Sequence, residues 1–245
     1  MSHFPVLVVG PDPESQLEPF NEAIEVDAYQ DACYCIGWVA KAYGRSMAEK
    51  KYKPFEQLRK EYHAMNADKR PAWEQYIKPY VEIKDKYEKA HALYNKPDPH
   101  CKICNGSGKR ETRYNPDSKW DWYSLGGRWL GYWKLKPAAK KRINIKKFLG
   151  DPGTGDNKPL FDVDIARKRD IDFKAMKKIL RKRKEGRSIA TFAVLMDGEW
   201  YERGNMGWWG MIANEKGKDV WEEEFWKLIE KLPPNTWLSV YDCHI

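Results

Sequence analysis

Two pairs of cysteines have the spacing that most directly indicates chemistry. Cys101 and Cys104 lie in "CKICNGSGK", where the following glycines allow a turn that brings both thiolates around one ion. Cys33 and Cys35 form a second pair in "ACYCIG". Four thiolates complete the tetrahedral shell of a structural zinc ion. The sequence therefore predicts a zinc site that joins the two ends of the segment between the pairs.

Other interpretations of these cysteines stay open. His100 precedes Cys101 and is a further candidate ligand. The C-x-C spacing of Cys33 and Cys35 is a weaker ligand pattern than C-x-x-C, so a metal-free turn beside ordinary buried thiols is the alternative. A redox dithiol ranks below both, because this C-x-x-C lacks the strand-to-helix setting of reactive thiols. An odd total of five cysteines argues against a disulfide framework.

A second constellation is the aromatic stretch "KWDWYSLGGRW", residues 119–129. Its rings can stack on the flat part of a ligand, and Arg128 can bind a phosphate or carboxylate bidentately. Asp121 would orient Arg128 or act as a base, unless the two form only a buried pair in a tryptophan-rich core. A similar stretch, "RGNMGWWGM", frames two tryptophans with glycines. The predicted ligand-binding residues are Trp120, Trp122, Tyr123, Gly126, Gly127, Arg128, Trp129, Trp208 and Trp209.

Histidines near the two ends of the sequence are candidates for acid/base chemistry. If the last strand pairs with the first, His3 and His244 come close together, as in the acid/base pairs of some phosphodiesterases. Asp242 shares a strand face with His244 and Cys243 points the other way, so a Cys-His nucleophile pair is geometrically poor. We predict His3, Asp121 and His244 as catalytic residues. Histidines that are only hydrogen-bonded structural residues are the alternative.

The elements that position these residues follow from the apolar pattern. "HFPVLVVG", residues 3–10, is a β-branched run that predicts a buried first strand. Residues 30–95 show the three- and four-residue apolar spacing of helices. Residues 101–136 predict aromatic-rich strands and turns, with "RWLGYWKLK" as a strand after the Gly-Gly turn.

The second half of the chain adds a hairpin, two helices and a last strand. "TFAVLMDGEWYE" predicts two strands joined by an Asp197-Gly198 turn. A basic helix is predicted over 172–185 and another helix over 219–232, before the strand "TWLSVYDCHI". The pattern indicates an α+β protein with a mainly antiparallel sheet packed with helices. We predict one domain, residues 1–245, with a helical, cysteine-bearing insertion at 30–110 that ends in the zinc knuckle.

Composition restricts the partners. The 245 residues carry a net charge of +8 and include 12 tryptophans, which favours an anionic partner such as a nucleotide. No apolar run of about 18 residues predicts a membrane span, and the N-terminal residues lack the features of a signal peptide. The expectation is a protein of the cytoplasm with no membrane association.

Several motifs resemble known families. "SHFPVLVVG", "CxxCxGxG", "YNPDSKWDWYSLGGRWLGYWKLK", "MGWWGM" and "DCHI" are similar to a family of uncharacterised proteins from tailed bacteriophages. The resemblance covers most of the chain outside residues 44–95, and it implies a viral origin, expression in a bacterial cytoplasm and a non-structural accessory role. It implies no activity and no catalytic residue. The C-x-x-C-x-G-x-G segment separately resembles one zinc knuckle of DnaJ-type chaperones.

Two functional classes follow from these observations. In the first, the protein is a host-takeover or anti-defence factor that binds, and in an enzyme would cleave, a small nucleotide-type ligand through the Trp/Gly/Arg-rich site. In the second, it has no catalytic activity, and the basic residues of 172–185 and of "KKRINIKK" bind nucleic acid or a host protein. A solvated basic face without a partner is the third possibility for that helix.

Overall fold

The computed structural model describes residues 2–66, 69–151, 158–182, 188–207 and 211–245. Two compact units make up the chain: a larger one formed by Met1–Val26 and Tyr114–Ile245, and a smaller one, Asp27–Arg113. Helices pack against a mixed, mostly antiparallel sheet, which confirms the predicted α+β class. Within the described residues, no helix is long and apolar enough to cross a membrane.

The larger unit is built on one six-stranded sheet. Its strands are β1 (His3–Val9), β4 (Trp122–Leu125), β5 (Ile165–Arg167), β6 (Ala193–Met196), β7 (Glu199–Glu202) and β10 (Trp237–His244). The order is β4-β10-β1-β6-β7, and β5 also pairs with β10. The first strand is central, antiparallel to β10 and parallel to β6. Its apolar run is therefore buried on both faces, as predicted.

The described part of the larger unit also contains five α-helices and two short strands. They are α1 (Pro13–Leu17), α5 (Pro137–Arg142), α6 (Ile145–Phe148), α7 (Phe173–Lys182), α8 (Lys218–Lys231), β8 (Asn205–Met206) and β9 (Ile212–Ala213). The predicted basic helix corresponds to α7, and residues 183–185 of that prediction lie outside the described residues. The helix predicted over 219–232 is confirmed as α8.

The two faces of the sheet bury different apolar clusters. Leu7, Val240 and Trp133 pack with residues of α7 and α8 on the first face. Phe4 and Tyr241 pack on the second face, together with Trp120. Because side chains alternate along a strand, the residues of β1 and β10 that share the first face with Leu7 and Val240 are His3, Pro5, Asp242 and His244. The sheet thus places this polar group at the end of its first face.

The predicted hairpin is confirmed. β6 and β7 pair antiparallel with Met196 opposite Glu199. The two turn residues Asp197 and Gly198 have φ values of 54° and 78°, which are the left-handed values of a type I′ turn.

The strand predicted after the Gly-Gly turn is wrong. Residues 127–129 form a 3-10 turn, and the following residues make only the isolated bridges Trp133–Val163 and Leu135–Ile171. Aspartate carboxylates replace a neighbouring strand here. Asp164 accepts the N–H of Tyr132, and Asp162 accepts the N–H of Leu135. These side chains satisfy backbone donors that a strand would give to its neighbour.

The smaller unit consists of three helices and a strand pair. Its elements are α2 (Trp38–Lys51), α3 (Phe55–Ala64), α4 (Trp73–Ala90), β2 (Glu25–Ala32) and β3 (Lys109–Tyr114). The chain passes between the units within β2 and β3. The helical prediction for 30–95 holds for the three helices, but residues 30–32 belong to β2, because they pair with β3. Ala48, Leu58 and Tyr80 form the apolar core of this unit.

Replacing Asp164 should destabilise the larger unit. Both oxygens of this fully buried carboxylate accept backbone N–H groups, from Tyr132 and Gly150. Asp164→Ala leaves these buried donors without a partner, at a cost of about 1–3 kcal/mol each. We expect a lower free energy of unfolding in urea, whereas Asp219→Ala, at an exposed carboxylate, should change it little.

The loss should also depend on pH. Burial raises the pKa of Asp164, and the N–H groups of Gly150, Tyr132 and Gly131 oppose that rise only in part. The folded protein therefore holds a proton at pH values where the unfolded chain has released it. The stability difference between wild type and Asp164→Ala should grow as the pH falls through the folded-state pKa. A constant or shrinking difference would contradict this assignment.

Candidate functional site

The four predicted zinc ligands lie together in the smaller unit. Sγ of Cys33 is 3.7 Å from Sγ of Cys101, and Sγ of Cys35 is 3.4 Å from Sγ of Cys104. All four sulfur atoms lie within 4.8 Å of one another. Around an ion with metal–sulfur bonds of about 2.3 Å, a tetrahedron has sulfur–sulfur edges of about 3.8 Å. The cluster can therefore hold a metal ion, and it is the only such group within the described ranges.

Two loops position the four thiols. The first is held in place by the N–H of Cys33, which donates to the carbonyl of Gly108, and it ends at Gly37, before α2. The second loop turns through left-handed backbone at Asn105, Gly106 and Gly108. The N–H of Gly108 then donates to Sγ of Cys104 at 3.4 Å, so one glycine N–H faces a sulfur atom. The fifth candidate ligand, His100, is exposed and lies outside the thiol group.

The electrostatics of this cluster favour a bound cation. Burial raises the pKa of the Cys35 thiol to about 12. Burial acts in the same direction on Cys104, but the N–H of Gly108 and hydrogen bonds from the other thiols outweigh it and lower the pKa of Cys104 to about 6. Without a metal, Cys104 therefore ionises before Cys35. A divalent ion is what allows all four thiols to ionise.

Replacing single thiols should remove the metal. Cys35→Ser and Cys104→Ser each delete one ligand, so we expect the metal content of purified protein, measured by elemental mass spectrometry, to fall from about one ion per chain to near zero. Cys243→Ala is the control, because this fifth cysteine is buried in the sheet of the larger unit. Metal content that is unchanged in both ligand variants would contradict the site.

A second cluster forms where β1 meets β10 in the larger unit. The two strands place His3 opposite His244, and their ring centroids lie 4.9 Å apart with the planes at 66°. Nδ1 of His3 is 2.9 Å from Oδ1 of Asp242, and Nδ1 of His244 is 2.6 Å from Oδ1 of Asp121. Two histidine–carboxylate pairs therefore stand side by side, as expected if the last strand pairs with the first.

The carboxylates fix which nitrogen of each ring is available. An ionised carboxylate only accepts hydrogen bonds, so each Nδ1 is the donor, and Nε2 carries the lone pair when the ring is neutral. Nε2 of His244 is buried and has no hydrogen-bond partner among the described residues, as is true of Oγ of Ser124. Ser124 lies opposite Asp242 in the sheet. Because buried polar groups in native proteins are nearly always hydrogen-bonded, both atoms keep a hydrogen-bonding capacity that the described residues do not use.

The Gly-Gly pair makes this arrangement possible. Asp242 is buried, and its Oδ2 accepts the backbone N–H of Arg128 at 3.0 Å. A Cβ on Gly127 would lie 2.5 Å from Oδ2 of Asp242, and one on Gly126 would lie 2.6 Å from Oδ2 of Asp164. Both glycines have positive φ, of 49° and 75°. The turn therefore passes between two buried carboxylates, which only glycine allows.

The other residues of the aromatic stretch divide between core and surface. Trp120 is buried and donates its Nε1–H to the carbonyl of Leu17, so it packs in the core. Tyr123 is partly buried against Trp120 and Tyr241. Trp122 is 48 % exposed beside the His3 ring.

The proposed Asp121–Arg128 pair is not formed. Asp121 binds His244 instead, because the register of β4 and β10 sets Trp122 opposite His244. The guanidinium of Arg128 is exposed and makes no ion pair with the described residues. Trp208 and Trp209 lie outside the described residues.

A cleft of about 560 Å³ lies on the first face of the sheet. Pro5 lines it and lies two residues after His3, opposite Asp242. The lining also includes the rings of Trp129, Tyr132 and Trp221, and the ion pair between Arg203 and Glu215. A hollow of about 480 Å³ beside Asp121 is lined by Glu14 and Glu18, whose charges repel anions. An anionic ligand is therefore better accommodated on the cleft side.

Sequence reasoning missed two members of the cluster, Asp242 and Ser124. The sequence pattern puts Asp242 on the same strand face as His244 but does not predict a role for it. The alternation of side chains in "DCHI" places Asp242 on the same face as His244. Once the last strand pairs with the first, Asp242 is therefore the nearest carboxylate to His3. No local signal identifies Ser124, because its position depends on the pairing of β4 with β10.

Comparisons of the chain with protein-family models, curated proteins and solved structures gave no match.

Substituting Gly127 should disturb the histidine cluster. In Gly127→Ala the added methyl group overlaps the Asp242 side chain, so we expect a loss of more than about 2 kcal/mol in the free energy of unfolding. Gly198→Ala is a matched control: its φ is also positive, at 78°, but nothing lies within 4 Å of its Cβ position. That control should lose about 1–2 kcal/mol from backbone strain alone. Equal losses in the two variants would show that Gly127 does not need its close approach.

Proposed function

We propose that the larger unit binds and hydrolyses a phosphodiester of the nucleotide type, with His3 and His244 as an acid/base pair. The observation that carries this proposal is the pair of rings 4.9 Å apart, each held by a carboxylate at Nδ1. Orientation of an imidazole by a carboxylate is the arrangement that prepares its other nitrogen for proton transfer. A purely structural histidine needs no second histidine beside it.

The residues divide the reaction between them. Nε2 of one ring takes a proton from water as the water oxygen bonds to phosphorus. The protonated Nε2 of the other ring gives its proton to the leaving oxygen as the ester P–O bond breaks. Arg128, an exposed cation attached to the turn that binds Asp242, supplies charge for the phosphate. The ring of Trp129, which lines the cleft and is partly exposed, offers a flat surface for a base.

We also propose that the four-thiol cluster holds zinc as a structural ion. Four cysteine ligands form a closed shell without an open position for substrate, which is typical of structural and not of catalytic zinc. The ion would connect the loop before α2 to the loop before β3 and so stabilise the smaller unit. Its chemistry is then separate from that of the histidine cluster.

The biological setting that we propose is a tailed bacteriophage, with the protein acting as a host-takeover or anti-defence factor in the bacterial cytoplasm. The motif resemblance supports this origin. Five free cysteines suit a reducing compartment. Hydrolysis of a nucleotide signal would fit such a role, because host defence signals of this type are anionic and aromatic.

Activity should depend on both histidines. We expect new products when the purified protein is incubated with a panel of mononucleotides, dinucleotide cofactors, cyclic oligonucleotides and short RNAs and the mixture is separated by chromatography. His3→Gln and His244→Gln should each lower kcat about a hundredfold or more, because each removes one proton transfer. Arg128→Ala should act mainly on KM. His63→Gln, at an exposed histidine of the smaller unit, is the matched control and should be unchanged.

Two outcomes would reject hydrolysis. A ligand that disappears and returns intact after heat denaturation would make the protein a sequestering protein and the histidines structural. If every component stays free and intact, the small-ligand proposal fails. Binding that is lost only when the α7 cations Lys178 and Arg181 are neutralised would instead support the non-catalytic basic binder.

A further inference from the structure

The most exposed aromatic residues of the smaller unit surround its thiol cluster. Tyr34, Trp38 and Ile103 are 72 %, 66 % and 65 % exposed. Among the described residues, Met211 is the only other large hydrophobic side chain exposed by more than 60 %. We call the rings of Tyr34 and Trp38, together with the aliphatic side chain of Ile103, the aromatic patch. Grouped exposure of this kind marks an interaction surface more often than chance placement does.

The thiol loops force these side chains outward. Tyr34 stands between Cys33 and Cys35, whose buried side chains point into the cluster. Ile103 lies with Lys102 between Cys101 and Cys104. The N–H of Trp38 donates to the carbonyl of Cys35, which anchors the first turn of α2 to the loop. A metal-binding framework therefore presents the aromatic patch on a rigid support, so little ordering entropy is lost on binding.

One ring already carries a cation on one of its faces. The guanidinium of Arg110 lies 4.1 Å from the centroid of Tyr34 and also pairs with Asp31 at 3.1 Å. Tyr34 is nevertheless 72 % exposed, so its remaining surface is free for a second flat group. An aromatic ring backed by arginine is a suitable stacking surface for a nucleobase.

Charge is concentrated in this unit. Residues 27–113 contain 18 Lys and Arg against 12 Asp and Glu, which gives +6 of the total of +8. Lys41 lies three residues after Trp38 on α2 and therefore on the same side of the helix, and Lys102 is next to Ile103. Both lysines are exposed and form no ion pair with a described residue. The aromatic patch thus has cations within reach that no carboxylate neutralises.

We propose that the aromatic patch binds single-stranded nucleic acid, with bases stacked on Tyr34 and Trp38 and phosphates bound by Lys41 and Lys102. Exposed rings can stack only on bases that are splayed from a duplex, whereas cations alone would not distinguish strands. A protein partner would bury the apolar side chains but would leave the surrounding lysines without counter-charge. This inference concerns the smaller unit and does not depend on hydrolysis in the larger one.

The test is fluorescence anisotropy with labelled 12-nucleotide single-stranded DNA and RNA and with the matched duplexes, using the full chain. We expect tighter binding of the single strands. Tyr34→Ala and Trp38→Ala should each weaken that binding about tenfold, in line with the loss of one stacked base. Tyr201→Ala, at a partly exposed aromatic residue of β7, is the matched control and should bind as wild type does.

The salt dependence separates stacking from charge. Lys41→Gln and Lys102→Gln should each reduce the slope of log affinity against log salt by about one, and Tyr34→Ala should leave that slope unchanged. Metal content and the circular dichroism spectrum of each variant check that the fold is intact. RNA and DNA results that differ identify the preferred strand and support the proposal in either case.

Three outcomes would overturn the inference. Patch variants that bind as tightly as wild type would exclude the aromatic patch. Equal affinity for single strands and duplexes would show binding by charge alone. Self-association that Trp38→Ala abolishes would make a second copy of the chain the occupant. Tyr34→Ala and Trp38→Ala should leave nucleotide hydrolysis unchanged, so failure of this proposal and failure of the proposed hydrolysis are distinguishable.

Discussion

Seven antiparallel residue pairs join β1 to β10, from His3–His244 to Val9–Leu238, and the rest of the larger unit depends on this pairing. It places the first strand between β10 and β6, where its apolar side chains are buried on both faces. The same register brings the two histidines to the end of the first face. Because the side-chain period of a strand is two, a slip of β1 by one residue would turn Leu7 away from the helices. The same slip would move His3 away from His244.

Buried carboxylates are the second constraint on this unit. Asp164 and Asp242 are both buried, and each accepts backbone N–H groups. A buried carboxylate is costly unless such donors surround it, so the chain around each must approach closely. Gly126 and Gly127 provide that approach from one turn. Core stability and histidine orientation are therefore coupled in the larger unit, since the turn that packs against Asp164 also holds the partner of His3.

The smaller unit differs from the larger one in the interactions that hold it together. Its apolar core is small, as is usual for domains that rely on a metal. The four thiols, converging within 4.8 Å, favour a cation that lets them ionise together. The loops that direct sulfur inward also direct Tyr34 and Ile103 outward. The exposed aromatic patch is thus a geometric consequence of the thiol cluster. The lysines beside it favour an anionic ligand.

Local patterning determined much of this protein. The hairpin at Asp197-Gly198, the buried first strand and the C-x-x-C turn are specified by residues close together in sequence, because turn geometry and apolar periodicity are short-range properties. The grouping of the four cysteines was also predictable, since tetrahedral coordination requires a second pair and the chain has few candidates.

Tertiary structure alone decided which partners these elements found. Trp120 is core and Trp122 is surface, because residues distant in sequence decide their surroundings: Trp120 bridges Asn21 and packs in the second-face cluster, whereas Trp122 pairs with His244. Asp121 binds His244 and not Arg128 for the same reason. The strand predicted for residues 128–136 is absent because the side chains of Asp162 and Asp164 take two of its backbone donors. Contacts between residues a hundred or more positions apart are fixed by strand register and burial, and no local pattern contains them.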